Sequence, residues 1–62
     1  MLTDRIHQLR KKRKITLDKL AELTGLTKGY LSKIERSEKA PPYSTLNKIA
    51  IAFGVDAASL LG

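Results

Sequence analysis

Apolar residues recur along the chain at three- and four-residue intervals, interrupted by short polar stretches. From position 17 onward, Leu17, Leu20, Ala21 and Leu23 or Thr24 fall on one helical face. Leu31 and Ile34 repeat the spacing after a break at Gly25-Leu26-Thr27. So short a break leaves no room for an excursion, and the two helices must pack directly on each other. Ala21 is then small because the helices approach closely there. Gly25 suits the end of a helix with positive φ, where a side chain would clash. Two helices joined by a short glycine-containing turn form a helix-turn-helix unit, predicted here over residues 17–36.

The helix starts carry their own signals. Thr16 can cap a helix beginning at Leu17, with Ile15 before it and Leu20 placed as a hydrophobic staple. Thr27 repeats the arrangement with Leu26 and Leu31, and Asp56 repeats it with Val55 and Leu60. These matches predict helices over 17–24, 28–36 and 57–61. Thr3 or Asp4 can open a first helix with Leu2, Ile6 and Leu9 inward, running to about Arg13. Ser44 can cap a fourth with Leu46, Ile49, Ala50 and Phe53 inward, stopped by Gly54. Between them, Ser37 to Tyr43 holds Pro41-Pro42 and must be irregular, since Pro42 pushes Pro41 out of helical geometry. The expected core is Ile6, Leu9, Leu20, Ala21, Leu26, Leu31, Ile34, Leu46, Ile49, Ala50, Phe53, Val55 and Leu60.

No strand-like alternation runs far enough to build a sheet. The expectation is an all-α fold, a compact five-helix bundle forming one domain over residues 1–62. A chain of this length buries only about 60% of its unfolded surface, so stability is narrow. With no cysteine, neither a disulfide nor a thiolate metal site can add to it. Twelve Lys and Arg against six Asp and Glu give a net charge of +6, which points to an acidic partner, nucleic acid first. No apolar run approaches a membrane span, and Asp4 and Arg5 interrupt any signal-peptide core, so a cytoplasmic, nucleoid-associated location is expected.

At this point the residues resemble a family. T-L-D-K-L-A-E-L-T-G-L-T-K-G-Y-L-S-K-I-E-R, a proline-containing loop, then T-L-N-K-I-A-I-A-F-G-V resemble the phage-repressor and Cro type of helix-turn-helix domain, the XRE family. The resemblance runs from Ile6 to Leu60, and G-L-T-K-G-Y-L-S-K-I-E-R looks especially like members in which this domain precedes a ligand-binding cupin domain. It implies sequence-specific binding of double-stranded DNA in transcription regulation, most simply as a repressor acting as a homodimer on DNA. The third helix would lie in the major groove and read base edges from its amino-terminal residues.

Carried onto this chain, the base-edge positions are Lys28, Gly29, Ser32 and Lys33. Lysine can donate to guanine O6 and N7, and serine can bond to several base edges. The competing reading of Lys28 and Lys33 is a solvated face whose cations only neutralise phosphate. Candidate phosphate contacts are Thr16 and Leu17 at the opening of the second helix, Thr27, Tyr30, Arg36 and Lys39. Tyr30 has a second reading, packed inward beside the first helix. Two departures stand out: Leu17 sits where many members carry a phosphate-clamping glutamine, and Ser37 where glycine often ends the third helix. The resemblance also implies an ion pair between Arg10 and Glu35 that holds the third helix, against the alternative of two independent surface charges.

The run Arg10-Lys11-Lys12-Arg13-Lys14 supports three readings: cations favoured at a helix carboxyl end, a phosphate patch, or a localisation signal. The first is preferred, because helical spacing spreads five consecutive residues around the axis. His7 has no dyad or metal partner near it in the sequence, the acidic residues are scattered, and the glycines stand singly. No enzymatic activity, metal or cofactor is therefore expected. The alternative class is a protein-interaction module on the same fold, of antitoxin or coactivator type, using Leu17, Tyr43, Leu60 and Leu61 as an apolar surface. Nonspecific attraction to RNA or anionic lipid ranks third.

Overall fold

The computed structural model describes residues 4–37 and 39–60. Four α-helices, α1 (Asp4–Lys12), α2 (Leu17–Thr24), α3 (Lys28–Arg36) and α4 (Tyr43–Phe53), are followed by one 3-10 turn, Ala57–Leu60. The fold is all-α, and its extents are 22 × 22 × 21 Å. α2 packs on both α3 and α4, α1 packs on α3, and the 3-10 turn closes against α4. Among the described residues no helix is long and apolar enough to cross a membrane. The expected first-helix start at Thr3, with Leu2, lies outside the described residues, as do the Asp4 side chain and Leu61.

Two helix starts follow the capping signals. Thr16 Oγ1 accepts from Lys19 N at 3.1 Å, and Thr27 Oγ1 accepts from Tyr30 N at 3.1 Å. Beside each cap the apolar pair is in place, with Leu20 and Leu31 buried and Ile15 and Leu26 packed on the core. The turn between α2 and α3 is tied by Gly25 at φ 76, whose N–H donates to Ala21 O at 2.8 Å. Thr24 reinforces it, its hydroxyl donating to Leu20 O at 2.8 Å and accepting from Leu26 N at 3.2 Å. Thr24 thus takes the inward position, and Leu23 is half exposed.

Two starts differ from expectation. Ser44 does not cap α4: the N-cap is Pro42, with no side-chain cap bond, and the helix opens at Tyr43. Extended backbone at Pro42 lets its carbonyl accept from Leu46 N at 3.0 Å, so the helix starts before Ser44 is reached. The fifth helix is a 3-10 turn of 4 residues. There the Asp56 carbonyl accepts from Ser59 N at 3.0 Å and Ser59 Oγ at 2.5 Å. One turn forms too few bonds to offset α-helix nucleation, and the tighter geometry prevails. The closing residues at Ser37 also depart from the left-handed pattern. Ser37 is extended (φ −80, ψ 148), and its hydroxyl accepts from Lys39 N at 3.0 Å.

The core holds Ile6, Leu20, Leu31, Ile34, Leu46, Ile49, Ala50, Phe53, Ala57 and Leu60. Ala57 was not expected there, and Leu9, Ala21, Leu26 and Val55 pack at its edge instead of inside it. Leu60 is 1% exposed, so it cannot belong to an apolar docking surface, and Leu17 is half-buried against the core. Tyr43, at 72%, is the exposed member of that set.

The basic run is divided between structural and solvated roles. Arg10 turns inward: Nε donates to Glu35 Oε2 at 2.7 Å, Nη2 to Oε1 at 3.0 Å, and Nη1 to Ile15 O at 2.9 Å. The fork spans from α1 to the last turn of α3, and the side chains are 12% and 7% exposed. His7, which has no partner near it in sequence, joins from α1 by donating Nδ1–H to Glu35 Oε1 at 2.8 Å. Arg13 crosses to the end of α4, where it donates to the Phe53 carbonyl and stands over the Phe53 ring at 5.7 Å. The chain leaves α1 through Lys14 at φ 56, the one non-glycine with positive φ among the described residues. Lys14 N donates to Lys11 O at 3.1 Å and Ile15 N to Arg10 O at 3.0 Å, the paired bonds of a Schellman ending. A glycine would occupy that conformation without the β-carbon clash that lysine carries.

Burial alone would push the Glu35 carboxyl upward, but the hydrogen bonds from Arg10 and His7, with their charges, outweigh it and hold the group below the ordinary range. The hydrogen bond with Glu35 raises Arg10, against the lowering effect of burial. A folded-state pKa below the unfolded one means that stabilisation is complete above the ordinary value of 4.5 and is lost as pH falls toward the depressed value. Glu35→Gln should cost about 2–3 kcal/mol at neutral pH. In thermal unfolding its midpoint should fall less than the wild type's on acidification below 4.5, and parallel falls would remove Glu35 from that role. Lys14→Gly should raise stability by about 1 kcal/mol, and an unchanged or lower midpoint in the same assay would show that the left-handed residue carries no strain.

Candidate nucleic-acid interface

α3 has an inner and an outer face set by its 3.6-residue repeat. Leu31 and Ile34 point into the core and are 1% and 4% exposed. Lys28, Gly29, Lys33 and Arg36 are exposed on the opposite strip, with Ser32 half-buried among them. The structure therefore brings all four expected base-edge positions to one surface. Arg36 Nε donates back to Ser32 O at 3.3 Å, which lays the guanidinium along the helix.

Gly29 is notable for what surrounds it. An added β-carbon there would meet nothing within 4 Å. Its φ is not positive, so neither packing nor backbone geometry within the protein calls for glycine. Glycine inside a helix costs roughly 0.5–1 kcal/mol relative to alanine. The protein accepts that cost on the exposed outer strip of α3.

Of the expected phosphate contacts, Thr16 and Thr27 are exposed at the two N-caps. The first amides of a helix have no partner within it, and at α2 the Thr16 hydroxyl takes only that of Lys19. The Leu17 side chain packs on the core, so any external bond from this residue must come from its backbone. Tyr30 is half-buried, and its hydroxyl lies 3.5 Å from Thr45 Oγ1 on α4, not beside α1. Its ring, Lys33 and Lys39 border one shallow hollow together with Ile34, Ala40 and Pro41. Lys39 is exposed, with its amide held by Ser37.

Sequence reasoning missed Asp18. Its carboxylate lies 3.6 Å from Lys28 Nζ, so the first turns of α2 and α3 meet through opposite charges. Nothing in the spacing of 18 and 28 signals this, because the contact depends on the angle between helices. His7 was closer to reach, since it stands three residues before Arg10 on the same side of α1. No group of three or more His, Asp or Glu able to hold a metal occurs among the described residues.

Proteins similar to this chain include ones named as a repressor and as a transcriptional regulator, and one solved with DNA. The chain is 41% identical over 58 residues to the immunity repressor protein of Bacillus phage phi105, covering 94% of this chain and 40% of that protein. It is 44% identical over 54 residues to the HTH-type transcriptional regulator SutR of Escherichia coli K12, covering 87% of this chain and 30% of that protein. It thus spans less than half the length of either relative. Among solved structures, the master regulator for biofilm formation SinR in complex with DNA superposes with a TM-score of 0.87 at 38% identity, covering 97% of both chains. Residues 6–60 match the helix-turn-helix family HTH_3, and the chain belongs to that family.

Proposed function

We propose that this protein binds double-stranded DNA sequence-specifically in transcription regulation, as a repressor, with α3 in the major groove. The observation that carries this is the outer face of α3, which holds exposed Lys28, Gly29 and Lys33 while Leu31 and Ile34 anchor the helix from behind. Its likeness to SinR, solved with DNA, supports the same reading. Lys28 and Lys33 donate to base acceptors, Ser32 bonds beside them, and Gly29 lets the backbone approach the groove. Thr16 and Thr27, the Leu17 amide, Arg36 and Lys39 hold phosphates along the groove edge, and Tyr30 supports them from the hollow beside Lys33. Two copies would bind as a homodimer, one per half-site, across a helical turn. No metal, cofactor or catalytic step enters this function.

A second reading keeps a specific observation of its own. Tyr43 and Ile51, 72% and 70% exposed, stand two helical turns apart on α4 and offer an apolar surface to a protein partner. This surface keeps Tyr43 from the expected apolar set and adds Ile51, and it would make the protein an interaction module of antitoxin or coactivator type.

Selection from a random duplex library on densely immobilised protein, at two salt concentrations, separates them. Enrichment of a short motif supports specific DNA binding, whereas retention without enrichment that vanishes at higher salt leaves the interaction module ahead. Lys33→Ala or Lys28→Ala should cost about 1–3 kcal/mol on the selected motif and relax preference at one position. A uniform loss on all sequences would reduce that lysine to a phosphate contact. Gly29→Ala should raise the thermal midpoint, by about 0.5–1 kcal/mol of stability, while weakening motif binding. Unweakened binding by this variant would refute close approach at Gly29.

A further inference from the structure

Asp18 places a negative charge on the face proposed to meet a polyanion. It lies in the first turn of α2, where a carboxylate complements the helix dipole. That explains an acid in this turn but not its position against Lys28. The Asp18 and Lys28 side chains are 77% and 60% exposed, so their pairing in water adds little to stability. At 3.6 Å they are in charge contact without a tight hydrogen bond, and both remain able to engage a third group. If α3 enters the groove by its amino-terminal turn, Lys28 enters first and Asp18 comes with it.

A cation and a carboxylate held side by side present a donor next to an acceptor. Adenine also sets an acceptor, N7, beside an amine, but a G·C pair offers the two acceptors that lysine takes from guanine, N7 and O6, and then the N4 amine of cytosine, so the lysine selects the G·C pair. Lysine alone accepts guanine, phosphate or any other nearby acceptor. A carboxylate beside it repels phosphate and every base acceptor, and bonds favourably only where an amine faces it.

We infer that Asp18 is a specificity-determining residue, acting with Lys28 as a pair that reads one G·C base pair: Lys28 on guanine and Asp18 on the cytosine N4 amine. This rests on the DNA-binding reading above. The charge of Asp18 lowers affinity for DNA in general and confers discrimination at one position. Its exposure allows the carboxylate to be removed without loss of the core.

The test compares the wild type, Asp18→Asn, Lys28→Ala and the double variant in the duplex selection, followed by titration of the enriched motif and its single-position variants. A cooperative thermal transition in both wild type and Asp18→Asn, with the variant's midpoint lowered only by the small loss of helix-dipole stabilisation, establishes that both are folded. Asp18→Asn should bind random duplex more tightly and lose at least about fivefold discrimination at a single G·C position. Lys28→Ala should lose the same position, and the double variant no further one. An unchanged motif with Asp18→Asn overturns the inference, whether or not overall affinity rises, because the carboxylate is then a distant charge only. Loss of discrimination at different positions in the two single variants also overturns the pair. Absence of any enriched motif for the wild type overturns the DNA reading itself, and this inference with it.

Discussion

The fork from Arg10 to Glu35 is the contact on which the exposed helix depends. α3 has 9 residues and buries only Leu31 and Ile34, which is little apolar area to hold a helix whose other side stands in water. Glu35 stands in its last turn, and a carboxylate there opposes the helix dipole unless a cation compensates it. Arg10 and His7 do so from α1, and Arg10 also takes the Ile15 carbonyl just before α2. One guanidinium thereby ties together α1, the entry to α2 and the end of α3. In the amino-terminal half of α3, Leu31 and Tyr30 face the protein, while Lys28 and Gly29 stand exposed on the outer strip.

The division of labour inside the basic run follows from side-chain chemistry. Arginine has a planar fork with several donors and is weakly hydrated, so it can be half-buried against a carboxylate, carbonyls or a ring. Arg10 takes such a position, and Arg13, though exposed, supplies the end of α4 with both a donor and a cation. The lysines are compact, strongly hydrated charges, and Lys11, Lys12 and Lys14 stay in solvent. The net charge of +6 therefore overstates what is available to a partner, since part of it is committed to joining helices.

On the proposed DNA-binding reading, stability competes with binding at Gly29, and general affinity competes with discrimination at Asp18. Gly29 weakens α3 for no gain within the protein, and Asp18 sets a carboxylate where nearby cations would otherwise act unopposed. Both make sense on a surface shaped for one partner over many similar ones. Lys14 differs: its left-handed conformation is required by the Schellman ending of α1, and nothing in the structure explains why lysine stands there instead of glycine.

The sequence alone determined the helices with local causes. Thr16, Thr27, Gly25 and Gly54 act within a few residues of themselves, so helix ends could be placed from their spacing. The apolar repeat likewise identified most of the core and, with the family's motifs, the outer strip of α3. Where local signals were weak, local reading failed: Ser44 lost the start of α4 to Pro42, and the last segment was too short to form an α-helix. Contacts between distant residues belonged to the tertiary structure. His7 with Glu35, Arg13 with Phe53 and Asp18 with Lys28 each join groups whose separation depends on how helices cross. Helical periodicity specifies which way a side chain points from its own axis; only the packing of Leu20, Leu31, Ile49 and Phe53 decided which other axis it would meet.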